Sequence, residues 1–415
     1  MNQAAAKQRK QLIDLTCTLV DIPTENLPPN GYEKGGQDFV KAFLMGMGCD
    51  VRAYSPTEVP DFKTNREFLH DRNYEDRNNV IGVWKGKGNG RSLLLTGHMD
   101  VAPKEPLPWT VCDPYHSIVK DDKIYGRGSC DMKGGLACAL SAMMTLKESG
   151  FVPQGDVIFE SVVDEEYAGA TGTIASRMLG NNADFGIILE STGLNICPAC
   201  VGGIVLKVTV VGVPGMPYLG EEVDNPAYYL SEVIEAVREF DYLRSTKVIR
   251  PPLWEKTPQI PQIVITKLKA GEVTPDGQLS TPSDGWVELV IQTFPGVEME
   301  YIVTEFSEFL RDHFSKPEIL TIETKYHYCR PATIGIRTDA VNILQNVANN
   351  YTDKAVVCGA MFSCDLFAFE QYGNMPGVVF GPIGERMHGP DECVSISSLV
   401  TLTNILKDFI KSWCG

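Results

Sequence analysis

The chain has 415 residues, 43% of them hydrophobic and 22% charged, an ordinary balance for a globular protein long enough to hold two or three hydrophobic cores. With 53 acidic against 37 basic side chains its formal charge is -16, which disfavours nucleic acid and an anionic membrane as partners because both reward clustered lysine and arginine. A small-molecule or peptide substrate suits this balance better.

The first segment, MNQAAAKQRKQLIDLTCTLVDIPT, is polar before it turns amphipathic and lacks the apolar stretch of an export signal, so a cytoplasmic location is expected. No run approaches the roughly 18 apolar residues a membrane span requires. The 12 cysteines are too dilute for a disulfide scaffold and read as reduced thiols. Cys197 and Cys200 in CPAC lack the second pair that a zinc knuckle needs.

In chain order, amphipathic patterns predict helices near 7–21 and 35–47, followed by apolar runs between turn signals. SLLLTG (92–97) reads as a buried strand, 134–150 as a helix closed by glycine, DVIFESVVD (156–164) as a strand and ADFGIILE (183–190) as another. That rhythm predicts an α/β fold with a mainly parallel sheet flanked by helices. NICPACVGG punctuates the chain near 196–204, and strand, helix, strand, strand, helix and strand patterns then follow to 328. This β-α-β-β-α-β order predicts an inserted ferredoxin-like α+β domain over 202–328, which leaves 1–201 and 329–415 as a discontinuous catalytic domain. A helix near 339–350, the strand PGVVFGP (376–382) and a closing helix near 396–413 complete that domain.

The chemistry concentrates where apolar runs stop. His98 and Asp100, in TGHMD, follow a buried strand at a spacing that points both side chains the same way, so Asp100 can support a ligating His98. Asp131 lies in the glycine-rich GRGSCDMKGG ahead of a helix, where an ordinary N-terminal cap is the alternative. VVDEEYAG ends a strand in Asp164, Glu165 and Glu166, three acids that would repel one another without counter-charge; metal cations would relieve them, leaving one glutamate to coordinate and one as a base. Glu190 ends the next strand in the same way. His388 in GERMHGPDE follows the last strand, whereas His70, His116 and His313 sit in polar or surface contexts. Ligands bind at the carboxyl ends of strands in open α/β sheets, so these residues are expected to converge on one crevice. There is no GxGxxG and no Walker lysine pattern, which argues against a phosphate cradle.

The ordered set GHMDV, GRGSCDMKGG, DEE, a strand-terminal glutamate and MHGPDE resembles the M20 family of metallopeptidases, which includes acetylornithine deacetylase, succinyl-diaminopimelate desuccinylase, aminoacylase and glutamate carboxypeptidase. The resemblance implies two divalent metals, zinc first with cobalt or manganese as alternatives: one held by His98 and Glu190, the other by Glu166 and His388, with Asp131 bridging. It implies that Asp100 orients His98 and that Glu165 is the general base for a water between the metals. The inserted domain would be the family's lid and dimerisation domain, making a homodimer. Glutamate at 190 resembles the deacylase and carboxypeptidase branch, so hydrolysis of an N-acyl amino acid or small peptide-like amide is expected. Hydrolysis of a carbamoyl or activated aromatic amine C–N bond, and a non-catalytic metal-binding homologue, are the alternatives.

The lid departs from the family's pattern. Met216 stands where a histidine usually donates to the oxyanion, Leu279 where an asparagine is usual, and Gln292 where an arginine is usual. Substrate contacts are expected from Met216, Tyr218, His327, Arg330 and Arg337.

Overall fold

The computed structural model describes residues 3–104, 107–167, 171–271, 280–334 and 338–415. Arg337 and Leu279 lie outside the described residues, as does the side chain of His327. The chain divides into two compact units, one of residues 1–199, 333–360 and 364–415, the other of 200–332 with 361–363. No helix among the described residues is long and apolar enough to cross a membrane.

The first unit is built on a mixed sheet. At its centre Leu93–His98 runs parallel to Val157–Val162 on one side and to Phe185–Ile188 on the other, and Gly377–Val379 continues the parallel set beyond Phe185–Ile188. All six residues of Leu93–His98 and of Val157–Val162 are buried, the unbroken pattern of strands covered on both faces. Antiparallel strands extend both margins: Asn79–Trp84 then Asp50–Tyr54 beyond Val157–Val162, and Ile196–Cys200 beyond Gly377–Val379. The CPAC stretch is therefore a buried strand and not the punctuation its proline and cysteines suggest. Cys197 faces Cys358, sulfur to sulfur at 3.9 Å, and no cysteine among the described residues is assigned to a disulfide.

Helices of the expected pattern cover the sheet. Lys34–Gly46 buries Val40 and Leu44 one turn apart, and Ile396–Cys414 buries Leu399, Leu402, Leu406, Phe409, Ile410 and Trp413 at helical spacing. The latter starts at Ser395, whose hydroxyl accepts the Ser398 N–H. Gly134–Glu148 is packed so tightly that a Cβ on Gly135 would lie 2.1 Å from the Leu189 carbonyl oxygen, so only glycine lets this helix begin against the strand that delivers Glu190.

The second unit holds Gly202–Val211, Pro226–Lys247, Ile263–Ala270, Asp284–Thr293, Met299–Asp312 and Leu320–Tyr328 in the order strand, helix, strand, strand, helix, strand. Its sheet is antiparallel, with Ile263–Ala270 and Leu320–Tyr328 at the edges. Alternate residues Leu206, Val208 and Val210 with Val287, Leu289 and Ile291 form its core against Val233, Phe240, Phe306 and Leu310 of the two helices. Truncating such a side chain to alanine costs about 2–5 kcal/mol.

Candidate active site

The carboxyl ends of the parallel strands deliver the expected residues to one place. His98 is the last residue of its strand and only 1% exposed. Its Nδ1 lies 2.8 Å from the main-chain carbonyl of Asp100, which holds a proton on Nδ1 and leaves Nε2 facing the carboxylates. The carboxylate of Asp100 stands 3.8 Å from Nδ1, so the support at His98 comes from this residue's backbone and not from its side chain.

Nε2 of His98 meets Glu190 Oε1 at 2.9 Å and Asp131 Oδ1 at 3.2 Å. The other oxygen of Asp131 meets His388 Nε2 at 3.1 Å, and that nitrogen meets Glu166 Oε2 at 2.9 Å. Asp131 thus divides its two oxygens between two imidazoles. The half-exposed His388 sits in a loop with φ of 58°, and the remaining Glu166 oxygen accepts the Ala102 N–H at 2.9 Å. Glu165 Oε2 lies 3.9 Å from His98 Nε2, beside the cluster and outside hydrogen-bond range.

Asp131 is presented by a short irregular segment, Ser129–Lys133, in which its φ and ψ of −126° and 87° break the helical run. Glu392 anchors this segment by accepting the N–H groups of Gly128, Cys130 and Asp131 at 3.0, 3.0 and 3.2 Å, and Arg127 neutralises Glu392 at 2.7 Å. Glu392 ends the MHGPDE motif, so its place in the sequence was visible although its role was not.

The three-acid run divides. Asp164 belongs to a different network: Arg72 and Arg77 pair with its Oδ1 at 2.6 and 2.8 Å, Tyr74 donates to its Oδ2 at 3.0 Å, and Arg77 also pairs with Glu33. Protein cations, not metals, relieve that acid. Among the described residues the ion pairs of Asp131, Glu165, Glu166 and Glu190 are with His98 and His388.

These four carboxylates crowd two imidazoles, and the ionisation of the metal-free chain shows the strain. Burial and the neighbouring Asp131 push Glu190 up to about 8. Burial likewise raises Glu165 far above the carboxylate range, against the pull of His98. Burial would raise Asp131 too, but His388 and His98 hold it well below that range. Glu166 lifts His388 to about 12, and Glu190 lifts His98 against the opposing effect of burial. A site so rich in buried carboxylates with imidazole partners calls for cations, and its nitrogen and oxygen donors fit divalent metals. One atom each from His98, Asp131 and Glu166 falls within 4.8 Å of the others.

A family model described as peptidase family M20/M25/M40 matches residues 94–412. The chain belongs to this family. It is accordingly a metal-dependent hydrolase of carbon–nitrogen bonds. The N-formyl-4-amino-5-aminomethyl-2-methylpyrimidine deformylase of Halalkalibacterium halodurans is 26% identical over 445 residues, covering 98% of this chain and 95% of that protein. The succinyl-diaminopimelate desuccinylase of Wolbachia sp. subsp. Brugia malayi is 24% identical over 415 residues, covering 97% and 93%. Among solved structures, the dipeptidase Dug1p of Saccharomyces cerevisiae shares the fold with a TM-score of 0.80 at 13% identity, covering 99% of this chain and 97% of that one.

Of the other expected contacts, Met216 and Tyr218 lie in the second unit. The Met216 N–H donates to Glu221 Oε2 at 2.6 Å, and Tyr218 is exposed in the short helical turn Pro217–Leu219. Arg330 lies in the same unit just past Leu320–Tyr328. Gln292 is the penultimate residue of Asp284–Thr293, where it pairs with Gly203.

Proposed function

We propose that this protein hydrolyses the amide bond of a short N-acyl group, with His98 and Glu190 holding one divalent cation, His388 and Glu166 a second, Asp131 bridging them and Glu165 acting as general base. The observation that carries the reading is the division of Asp131 between His98 and His388, at 3.2 and 3.1 Å, while Glu165 stands aside at 3.9 Å. A carboxylate that faces His98 from beyond hydrogen-bond range is free to move a proton. When bound, two divalent cations polarise a carbonyl oxygen and acidify water. Glu165 takes the proton of the attacking water and returns it to the departing nitrogen, which cannot leave as an amide anion. Zinc is the first candidate, with cobalt and manganese as alternatives.

Met216 cannot donate a hydrogen bond to an oxyanion as an imidazole would. A formamide, whose carbonyl carbon is open to attack, depends least on that donor, and a formylated aminomethylpyrimidine is the named substrate of the 26% identical relative. A formylated amine therefore leads the substrate list, ahead of N-acyl amino acids and small peptides. The inserted unit is proposed as lid and dimerisation domain through its edge strand Ile263–Ala270, where Val264 and Leu268 are exposed. Cysteines assigned to no disulfide agree with the reducing cytoplasm proposed for the chain.

The test is a panel of formylated aminomethylpyrimidine, N-succinyl and N-acetyl amino acids, dipeptides and carbamoyl amino acids, assayed with added zinc or manganese. Release of formate or another carboxylate is expected. Release of ammonia with no carboxylate product would instead establish an aminohydrolase acting on a carbamoyl or aromatic amine C–N bond.

A further inference from the structure

We infer that Asn26 is a positioning residue of the metal centre, fixing Asp100, whose carboxylate holds the Glu166 N–H and whose carbonyl holds His98. The inference rests on the ligand assignment above. Asn26 belongs to none of the motifs that resemble the family, yet it is only 2% exposed and its segment is laced to the chain just past His98. Thr24 Oγ1 donates to the Met99 carbonyl at 2.7 Å, the Val101 N–H to the Thr24 carbonyl at 3.0 Å, and the Asn26 N–H to the Val101 carbonyl at 2.9 Å.

Its side chain has one orientation that satisfies all its neighbours. Nδ2 donates to Asp100 Oδ2 at 2.8 Å and to Asp164 Oδ1 at 3.1 Å, while Oδ1 accepts from the Arg72 guanidinium. Reversing the amide would set a carbonyl oxygen against two carboxylates. Asp100 Oδ2 accepts a second hydrogen bond, from the Glu166 N–H at 2.9 Å, whereas the buried Oδ1 has no hydrogen-bond partner among the described residues.

Two donors on one oxygen fix the plane of the Asp100 carboxylate. Asp100 then reaches both halves of the centre, His98 through its carbonyl and Glu166 through that N–H. Remove the Asn26 amide and the Asp100 carboxylate keeps a single hydrogen bond, from the Glu166 N–H that it must align. Partners that orient metal ligands in this way are worth about 10- to 100-fold in metal affinity.

The experiment titrates zinc into metal-stripped, full-length protein against a chromophoric chelator for the parent, Asn26→Ala, Asn26→Asp, Tyr74→Phe and His98→Ala. Asn26→Asp keeps the shape and the acceptor for Arg72 while replacing the donor with a third acid, so it decides the matter if the alanine variant does not fold. Both Asn26 variants should bind zinc about 10- to 100-fold more weakly, with turnover recovering as zinc is raised to saturation. Tyr74→Phe removes a donor from Asp164 but none from Asp100, so it should lower the unfolding midpoint and leave zinc affinity unchanged. Parental zinc affinity in the folded Asn26 variants, or an equal loss in Tyr74→Phe, overturns the inference. Undiminished zinc binding by His98→Ala would instead overturn the ligand assignment beneath it.

Discussion

Asp164 and its neighbours Glu165 and Glu166 leave the same buried strand, yet the fold treats them in opposite ways. Asp164 is enclosed by Arg72, Arg77 and Tyr74, a network that neutralises the acid with the chain's own cations. One residue further on, Glu165 and Glu166 join Asp131 and Glu190 around two imidazoles, whose charge cannot balance theirs. The first arrangement is complete in the polypeptide and should contribute to stability. The second is completed by cations, so it should contribute to function at the expense of the metal-free fold. Adjacent residues can therefore be assigned to scaffold or site by asking which of them already has a protein counter-charge.

The sharpest way to break this division is Glu165→Gln. If Glu165 moves the proton, kcat should fall by about 10²–10⁴ while metal content stays that of the parent. Unchanged turnover would remove Glu165 from the mechanism.

Asp164→Asn should do the reverse. It leaves Arg72 and Arg77 buried without their shared carboxylate, a loss of about 3–5 kcal/mol in unfolding free energy, with metal stoichiometry unaffected in the folded protein. The sign of its pH dependence follows from the arginines, which hold Asp164 below the ordinary carboxylate range against the effect of burial. A depressed carboxylate stabilises the fold above its unfolded pKa of about 3.9, and that stability is lost as pH falls through the folded value. The difference between parent and variant, followed by urea denaturation, should therefore shrink on acidification below about pH 4. A gap independent of pH would show that the acid contributes packing alone.

The metal centre carries its own pH dependence. Without metal, Glu166 raises His388 to about 12 and Glu190 raises His98, so both imidazoles are protonated near neutral pH. A cation must displace those protons, and apparent affinity should rise by about tenfold per pH unit for each proton released. Calorimetry in buffers of different ionisation enthalpy counts the protons. Zero release would contradict ligation through the two Nε2 atoms.

The sequence announced the proposed ligands because each ends or follows an apolar run, and parallel strands bring such ends together: His98, Glu166 and Glu190 were legible for that reason. Asp131 needed its glycines, and His388 needed its place after the last strand. What stayed hidden were the groups that support them. Asn26 lies 138 residues from Asp164, and Glu392 holds the Asp131 segment from 261 residues away, both in polar stretches with no periodicity to mark them. The strand Ile196–Cys200 was missed because proline and two cysteines interrupt its apolar pattern. The departures at 216 and 292 from the family's pattern were visible, but sequence carries no distance from them to a substrate.

The smallest expected effect tests whether place, and not residue type, makes a histidine a ligand. His70 packs edge-on against Phe68, His116 joins a turn through its N–H to the Asp113 carbonyl, and His313 stacks on Phe309 while its Nδ1–H donates to the carbonyl of that residue. All three are exposed. Replacing each with glutamine should change stability by no more than about 0.5 kcal/mol and leave bound metal, measured by elemental analysis, equal to that of the parent. His313→Gln should show the largest of these small changes, since it gives up both a ring contact and a hydrogen bond. Loss of metal from any of the three would move a ligand outside the strand-end cluster and undo the separation between scaffold and site.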